Sequence, residues 1–476
     1  MGKILIKNAD AVITCDHQDR ILKGCDILID DNKIAKIAPG IECPDAEVID
    51  GKGKFVYPGL INTHHHLLQA FTRNIPLIQE YELFDWLLYL YKVWERVRPD
   101  YMYLSAMVDM AEFVKFGGTT LFDQHFAFPR SSGREIIDSE FRAAEEIGLR
   151  FHAGRSCFTR GKEDGGLPPM ELIETTQETL DDCTRLIEKY HDPNPFSMRQ
   201  VVVAPCSPFS VTTDVMVESA KLARDKNVRL HTHLCETRDE ERYCLEVYGD
   251  RPLDWAEKCG WMGSDVWYAH GIHFTDDEVR RLAETKTGVS HNPVSNMKLA
   301  SGICKVPLML ELGVPVGLAV DGNGSNDDSN LLADIRVCYL LHRLNASKEM
   351  SFAIDGEPGH ELTDKARLHA PSGYDCLKLA TVGSAELLGR TDIGRLEEGM
   401  AADLFMLDVN QLDYVGGLLD PAAFLGTIGY SRPVWMTMVN GKIVWKDNKL
   451  TGIDEEKMRV EAAARVAKVY ENLPTE

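Results

Sequence analysis

The sequence predicts an α/β protein, a (β/α)8 TIM barrel with a small β-sandwich domain built from both termini. Strand-like and helix-like segments alternate over about 330 residues, which is typical of a parallel sheet whose strands are joined by helices. Short β-rich segments occur at both ends of the chain, and polar residues follow several strands. Eight repeats of the strand–helix unit would close a barrel, for which about 250 residues suffice.

The two ends of the chain carry the β-rich segments. Near the amino end these are "KILIKNADAVIT", "CDILIDDNKIAKIAP" and "KGKFVYPG", with a hairpin at Asp31–Lys33. Near the carboxyl end they are "MAADLFMLDV" and "WMTMVNGKIVWKDNKL", with Asn440–Gly441 as a two-residue turn. We therefore expect 1–57 and 386–476 to form one small β domain, the second part ending in a helix, around a barrel at 58–385.

Within 58–385, each helix-like segment is followed by a strand-like one. The strands are predicted in "GTTLFDQHF", "LRFHAGRS", "RQVVVAPCSP", "VRLHTHLCE", "DVWYAHGIHF", "TGVSHNP" and "VPVGLAVDG". The stretch 345–364 has little periodicity and is predicted to be an insertion or a mobile loop. Polar side chains lie near the carboxyl ends of the predicted strands, where barrel enzymes place their chemistry: His64, His125, His233, His270, His291 and Asp321.

Composition excludes several classes of partner. The 476 residues carry a net charge of −22, which argues against nucleic acid and against anionic membrane surfaces. No apolar run is long enough for a membrane-spanning helix, and the opening "MGKILIKNADAVITCD" lacks the apolar core of a signal peptide. The twelve cysteines are scattered, so we expect reduced thiols and a cytoplasmic protein.

The triplet in "NTHHH" is the first candidate for metal binding. His64 and His66 are two residues apart, a spacing that on a strand directs both imidazoles to one face. By the same alternation His65 points away and is predicted to be a packing or surface residue. Alone, this pattern is weak, but His233, His270 and Asp321 follow later strands. Zinc binds such imidazole and carboxylate donors while leaving a position for water.

Five motifs together resemble the amidohydrolase superfamily, specifically its mononuclear aminohydrolase branch. They are "PGLINTHHH", "HTHLCE", "AHGIH", "HNPVSNMKLASG" and "VDGNGSND", and the resemblance spans nearly the whole chain. It implies four metal ligands and two catalytic partners. The ligands are His64, His66, His233 and Asp321; the partners are Glu236 and His270.

The resemblance also indicates one divalent metal ion, with zinc favoured and iron(II) as the alternative. Binuclear relatives need a carboxylated lysine on the fourth strand, and "RQVVVAPCSP" contains no lysine. His231 precedes the ligand His233 by one strand step on the same face, and we interpret it as structural support. The fold also has relatives that have lost their metal and serve as scaffolds, but those lose the ligands that this chain retains.

The expected chemistry is hydrolytic deamination. The metal would lower the pKa of a bound water, whose proton Asp321 accepts while still contacting the metal. Glu236 would protonate a ring nitrogen of the substrate as general acid, and His270 would hydrogen-bond the developing oxyanion or the water. Attack at the ring carbon then releases ammonia.

Further motifs, including "NTHHHLLQAFTRNIP", "RSCFTRGKEDGGLPP" and "HLCETRDEERYCLEVYG", resemble 8-oxoguanine deaminases. Triazine hydrolases, hydroxyatrazine aminohydrolases and isoxanthopterin deaminase are similar, so 8-oxoguanine leads and these substrates remain alternatives. Guanine itself is disfavoured because Cys206 stands near the place where guanine deaminases carry an arginine. The resemblance also suggests a homo-oligomer, a dimer or larger.

The predicted substrate contacts leave alternatives open. Gln69 is either a hydrogen-bonding partner of a purine edge or a plain loop residue, and Cys206 is either a contact or an apolar filler. Trp86 and Trp94 lie in a helical stretch where aromatics commonly belong to the core, although one could cover the ring face. His291 and Asn296 are predicted to shape the site from the seventh strand.

Overall fold

A computed structural model describes residues 2–351 and 368–474, with side chains described up to 346 and again from 368. The amino-terminal strands are β1 Lys3–Ala9, β2 Ala11–Ile13, β3 Ile21–Leu22, β4 Cys25–Asp30, β5 Lys33–Ala38, β6 Glu47–Asp50 and β7 Lys54–Pro58. The barrel strands are β8 Leu60–Asn62, β9 Gly118–His125, β10 Arg150–Arg155, β11 Arg199–Val203, β12 Leu230–Leu234, β13 Val266–His270, β14 Gly288–His291 and β15 Val316–Leu318. The remaining strands are β16 Leu404–Asp408, β17 Met436–Val439, β18 Lys442–Lys446 and β19 Lys449–Leu450.

The α-helices lie between and after the barrel strands. They are α1 Leu83–Trp94, α2 Pro99–Lys115, α3 Ile136–Ile147, α4 Thr176–Tyr190, α5 Thr213–Asp225, α6 Arg238–Val247, α7 Pro252–Lys258, α8 Asp276–Thr285, α9 Pro293–Lys298, α10 Val306–Leu312, α11 Asn323–Asn326, α12 Leu331–Ser351, α13 Gly373–Lys378, α14 Ser384–Leu387, α15 Phe424–Thr427 and α16 Glu455–Val469. Capping residues determine where several of these helices begin; α8, for example, begins at a capping box formed by Thr275 and Glu278.

Strands from both ends of the chain pair in one sheet. Its order is β19-β18-β17-β16-β7-β2-β3, and β7 of the amino end pairs antiparallel with β16. A second sheet, β5-β4-β1-β6, packs on it through a shared apolar core to which Ile27, Ile29, Leu404 and Met406 belong. The predicted sandwich built from both termini is confirmed, whereas the exact domain boundaries remain a prediction.

The eight parallel strands β8 to β15 lie side by side in chain order, which confirms the predicted barrel. Between the first and last strands the ring closes through side chains and loops. The Thr63 hydroxyl donates to the Leu318 carbonyl at 3.2 Å, and the Asp321 amide donates to the His64 carbonyl at 3.1 Å. This closure brings a residue of the last strand end directly against the "NTHHH" segment.

Two regions differ from the sequence expectation or lie beyond it. The predicted loop at 345–364 begins inside α12, which continues to Ser351, and its remaining residues 352–364 lie outside the described residues. A helix that the strand–helix pattern did not single out, α6, follows "HLCET". Within the described ranges, no helix combines the length and apolarity needed to cross a bilayer.

Candidate active site

Four side chains converge at the carboxyl ends of three barrel strands. His64 and His66 follow β8, His233 is in β12 and Asp321 follows β15. The Nε2 atoms of His66 and His233 are 3.1 Å apart, and Asp321 Oδ1 lies 3.4 Å from the Nε2 atoms of both His64 and His66. All four residues are buried. The barrel thus gathers three imidazoles and one carboxylate into one small volume.

The hydrogen-bond partners of His66 and His233 determine which nitrogen of each ring carries the proton. His66 Nδ1 donates to the Gln124 carbonyl at 2.9 Å, and His233 Nδ1 donates to the Cys206 carbonyl at 2.7 Å. A carbonyl only accepts, so each Nδ1 carries the proton and each Nε2 presents a lone pair to the centre. The facing Nε2 atoms at 3.1 Å therefore have no proton between them. Two facing lone pairs repel each other, whereas a cation between them would accept both, so the residues fit a metal ion.

The hydrogen bonds of His231 assign the tautomer of His64. His231 Nδ1 donates to the Trp267 carbonyl at 3.0 Å, which leaves its Nε2 as an acceptor. That atom lies 2.9 Å from His64 Nδ1, which is consequently the protonated nitrogen of His64. Among the described residues His64 Nε2 has no hydrogen-bond partner, and it lies 3.4 Å from Asp321 Oδ1. His231 therefore supports a ligand rather than acting as one.

The charges at this centre suit a divalent cation. Burial holds the pKa of His64 and of His233 well below the usual range of imidazole, so both rings are neutral. Burial opposes ionisation of Asp321, but its contacts with His64, His66 and His270 outweigh burial and hold its pKa well below normal. Ser295 Oγ also donates to Asp321 Oδ2 at 2.6 Å. Three neutral nitrogens and one carboxylate are an ordinary zinc donor set.

Glu236 and His270 face the same centre from β12 and β13. His270 Nε2 is 3.5 Å from Glu236 Oε2 and 3.9 Å from Asp321 Oδ2. The side-chain amides of Asn296 and Asn292 donate to His270 Nδ1 at 2.8 and 3.2 Å. His270 Nδ1 is therefore an acceptor, and its Nε2 carries a proton towards the site. This tautomer is the reverse of the one that the three ligand histidines adopt.

The protonation states of this pair follow from burial. Burial, with the charges of Asp321 and Glu240, raises the pKa of Glu236 well above that of an ordinary carboxyl group. Burial also lowers the pKa of His270 to about 4. Burial therefore favours the protonated form of Glu236 and the uncharged form of His270. A neutral carboxylic acid beside a carboxylate is the arrangement that general acid catalysis needs.

A buried carboxylate fixes the loop that carries Glu236. The backbone amides of Cys235 and Glu236 donate to the two carboxylate oxygens of Glu240 at 2.7 and 2.9 Å. The backbone φ is +56° at Cys235, +74° at His270 and +68° at Asp321, values in the left-handed region. Such strained positions cluster at functional sites, where the surrounding structure holds them in place.

A cavity of about 40 Å³ lies against His66, His233 and Asp321, three of the four converging side chains. Most of its lining is apolar: Leu83, Trp86, Leu87, Tyr91, Trp94, Phe126, Phe158, Phe209 and Leu299. The polar lining consists of His66, Gln69, Cys206, Ser207, His233, Glu236, His270, Asp321 and Ser325. A slot of aromatic walls over a polar floor is suited to a flat ring with a few hydrogen-bonding groups.

The predicted substrate contacts divide into three groups. Gln69, Cys206 and Trp86 line the cavity, with Trp94 beside them. Asn296 is not part of the lining and instead contacts His270. His291 does not reach the cavity, which corrects the expected substrate contact: its Nε2 lies 3.3 Å from His342 Nε2. On β14 the preceding Ser290 points inward to Thr63, so alternation turns His291 outward.

His65 also points away from the four ligands, as its position in the triplet indicates. It is fully buried, with Nε2 2.8 Å from Ser329 Oγ. The sequence analysis missed Asn292, Glu240 and Gln124, which orient site residues through hydrogen bonds. Only Glu240 had a local signal, because an acidic residue in the first turn of a helix can accept from backbone amides.

The barrel and its mouth define the class of protein. A (β/α)8 barrel with imidazoles and carboxyl groups gathered at its carboxyl-terminal face has the donor set that metal-dependent hydrolases use. The model of the amidohydrolase family matches residues 55–444. The chain therefore belongs to the amidohydrolase family and is a hydrolase acting on C–N bonds.

Three similar proteins have known names or structures. The chain is 41% identical to the hydroxydechloroatrazine ethylaminohydrolase of Pseudomonas sp. strain ADP, over 94% of this chain and 92% of that protein. It is 38% identical to the 8-oxoguanine deaminase of Pseudomonas aeruginosa, over 95% and 96%. The solved structure of atrazine chlorohydrolase from Arthrobacter aurescens TC1, complexed with zinc, superposes with a TM-score of 0.89 at 33% identity, covering 97% of this chain and all of that one.

Proposed function

We propose that the protein is a metal-dependent deaminase of a purine-like heterocycle, with 8-oxoguanine as its leading substrate. The reaction would consume water and yield urate and ammonia. The observation that carries the proposal is the convergence of Glu236, His270 and Asp321 at one buried centre, where His270 Nε2 lies 3.5 Å from Glu236 Oε2 and 3.9 Å from Asp321 Oδ2. Hydrolytic deamination needs both an acid for the ring nitrogen and a base for water. Burial raises the pKa of Glu236, which favours its protonated form, whereas the neighbouring imidazoles lower the pKa of Asp321 and favour its ionised form.

His64, His66, His233 and Asp321 would hold one divalent ion, and zinc is favoured by the donor set. A bound ion of this kind would supply Lewis acidity, lowering the pKa of a water molecule in the site. The zinc in the related atrazine chlorohydrolase structure supports this choice. The same nitrogen and oxygen donors also suit iron(II), which metal analysis would distinguish.

The side chains of this chain would divide the proton transfers. Asp321 accepts a proton from the attacking water, and Glu236 donates its proton to the ring nitrogen beside the carbon under attack. His270 Nε2–H donates a hydrogen bond to the oxygen that gains charge. A C–O bond forms and the bond to the exocyclic amine breaks. The amine leaves as ammonia with the proton that Asp321 took from water, and the hydroxyl proton of the adduct passes to Glu236 as the ring carbonyl forms.

Gln69 would recognise the edge of the ring. Its side-chain carbonyl accepts from the Gly324 amide at 3.0 Å, so its NH2 group remains to donate within the cavity. A donor at this place suits a ring carbonyl or an unprotonated ring nitrogen of an oxidised purine. Trp86, Phe126 and Phe158 would enclose the faces of the ring.

A second candidate is release of an alkylamine from a hydroxylated s-triazine. Two observations favour it: the relative named hydroxydechloroatrazine ethylaminohydrolase is 41% identical, and much of the cavity wall is apolar. An N-alkyl group would pack on that wall, whereas the free amine of 8-oxoguanine would not use it. Isoxanthopterin and guanine are weaker alternatives of the same reaction type.

A substrate panel tests the proposal. The zinc-loaded protein would be incubated with 8-oxoguanine, guanine, isoxanthopterin, melamine and hydroxyatrazine, and release of ammonia or alkylamine would be measured as kcat/KM. The proposal predicts the highest kcat/KM for 8-oxoguanine. Activity confined to the triazines would replace it with the second candidate, and no amine release from any substrate would reject deamination.

We further propose a cytoplasmic location and retain the prediction of a homo-oligomer. All twelve cysteines are free thiols, and all but Cys43 are buried, which supports a reducing compartment.

A further inference from the structure

A second cluster of metal-binding side chains lies outside the cavity. His291 at the end of β14 meets His342 on α12, with Nε2 atoms 3.3 Å apart. Cys338, one turn earlier on α12, completes a set whose ligand atoms all lie within 4.8 Å of one another. Cys376 on α13 places its Sγ 3.7 Å from that of Cys338. We propose that these residues form a second metal site that binds Zn²⁺.

Two of the donor pairs, the two imidazole nitrogens and the two sulfurs, have the spacing that a tetrahedral zinc ion requires. Zinc–nitrogen bonds of about 2.0–2.1 Å at tetrahedral angles separate two nitrogens by roughly 3.3 Å, and zinc–sulfur bonds of about 2.3 Å separate two sulfurs by roughly 3.8 Å. The observed separations are 3.3 Å between His291 and His342 and 3.7 Å between Cys338 and Cys376. Two imidazoles with two thiolates are a common structural zinc set.

Hydrogen bonding alone does not account for the cluster. One bond between the rings uses two of four ring nitrogens, and the Nδ1 atoms of His291 and His342 have no partner among the described residues. All four side chains are buried; His342, the most accessible, is 1% exposed. Burying two histidines with so few partners is costly. The proposed ion would bind the two facing Nε2 atoms, and water would have to satisfy the Nδ1 atoms.

The cluster is distinct from the catalytic centre. None of its members lines the cavity, and its thiols contrast with the nitrogen and oxygen donors of the four ligands. A zinc ion here would tie β14 to α12 and α13, the helices on either side of residues 352–367. It would also brace the strand end that carries Asn292, the donor to His270 Nδ1. The site would therefore be structural, with all ligands supplied by the protein.

Cobalt substitution tests the proposal on the intact protein. Metal-depleted protein would be loaded with Co²⁺, and bound metal would be counted per chain while the thiolate-to-cobalt charge-transfer absorption is recorded. We expect two equivalents and a charge-transfer band. Cys338→Ser and, independently, His342→Gln should each reduce the count to one equivalent, and Cys338→Ser should also remove or strongly weaken the band.

Two controls separate the outcomes. Cys183→Ser, which removes another fully buried thiol, should leave the count and the band unchanged. Cys206→Ser tests whether the band arises in the catalytic cavity, and loss of the band there would contradict the proposal. One equivalent without a band in the unaltered protein would overturn it, leaving a hydrogen-bonded histidine pair. The metal count and the band of the unaltered protein decide the outcome, so the test does not depend on whether a variant folds.

Discussion

His231 Nε2 accepts a hydrogen bond from His64 Nδ1 at 2.9 Å, and this bond decides which nitrogen of His64 faces the metal site. His231 is itself fixed by the Trp267 carbonyl, so orientation passes from a backbone group through one histidine to another. Partners of this kind typically change metal affinity 10- to 100-fold. The geometry of the centre therefore depends on residues outside the proposed ligand set.

Replacing His231 with phenylalanine tests this relay. We expect metal affinity to fall by about 10- to 100-fold, because His64 loses the acceptor that holds its Nδ1 proton. The affinity would be measured by competition with a chromogenic zinc chelator. Excess zinc should restore most of kcat; unchanged affinity would show that His231 does not orient His64.

Glu236→Gln should retain the metal and lose most activity. Glutamine keeps the shape of the side chain but has no acidic proton to give to the ring nitrogen, so kcat should fall about 10²- to 10⁴-fold. Glu246→Gln on the exposed surface of α6 is the matched control and should behave like the unaltered protein. Normal turnover by Glu236→Gln would remove this residue from the acid role.

Asn296→Asp tests the tautomer of His270. A carboxylate accepts where the amide donates, so it should draw a proton to His270 Nδ1 and raise the pKa of that ring from about 4. We expect kcat to fall about 10²-fold and the acid limb of its pH profile to move upward. The exposed Asn410→Asp is the control. A pH profile identical to that of the unaltered protein would contradict the assignment.

Glu240 should make stability depend on pH. Burial raises its pKa from 4.5 to about 7 in the folded chain, so the protein gains stability from this group below about pH 4.5 and loses it as pH rises through about 7. Compared with Glu240→Gln, the unaltered protein should lose roughly 1–3 kcal/mol between pH 5 and pH 8. Thermal midpoints of both proteins across this range check the difference, and parallel curves would refute it.

The barrel could be predicted because its sequence signals are local and repeated. Each strand is a short apolar run followed by a polar residue, and each helix has its own periodicity, so the order of strands follows from the order of the chain. The hairpin at Asn440–Gly441 is equally local: both residues adopt positive φ, at 49° and 78°. The closure of β8 against β15 depends on contacts between distant residues.

The candidate site was partly visible in the sequence. His231 and His233 share a face of β12, as alternation predicts, whereas the choice of His233 as the ligand came from the resemblance to the amidohydrolase superfamily. The prediction for His291 was wrong because alternation does not say which of two neighbouring residues points inward. Only the contact of Ser290 with Thr63 reveals which face of β14 points into the barrel. The bond from Asn296 to His270 joins residues 26 positions apart, and no local pattern predicts it.

His64 and His66 lie together although the premise that predicted this was incomplete. The alternation argument placed both on a strand, but β8 ends at Asn62 and the triplet lies in the segment beyond it. Their rings still face each other, with centroids 4.6 Å apart, because the His66 ring is held by the Gln124 carbonyl and the His64 ring by His231.

The most direct test of the account is release of ammonia from 8-oxoguanine before and after removal of the metal. The account predicts one ammonia per urate formed, loss of activity on treatment with a chelator, and recovery when Zn²⁺ is returned. Ammonia release that persists in fully metal-free protein, or none from any heterocycle of the panel with zinc bound, would contradict it.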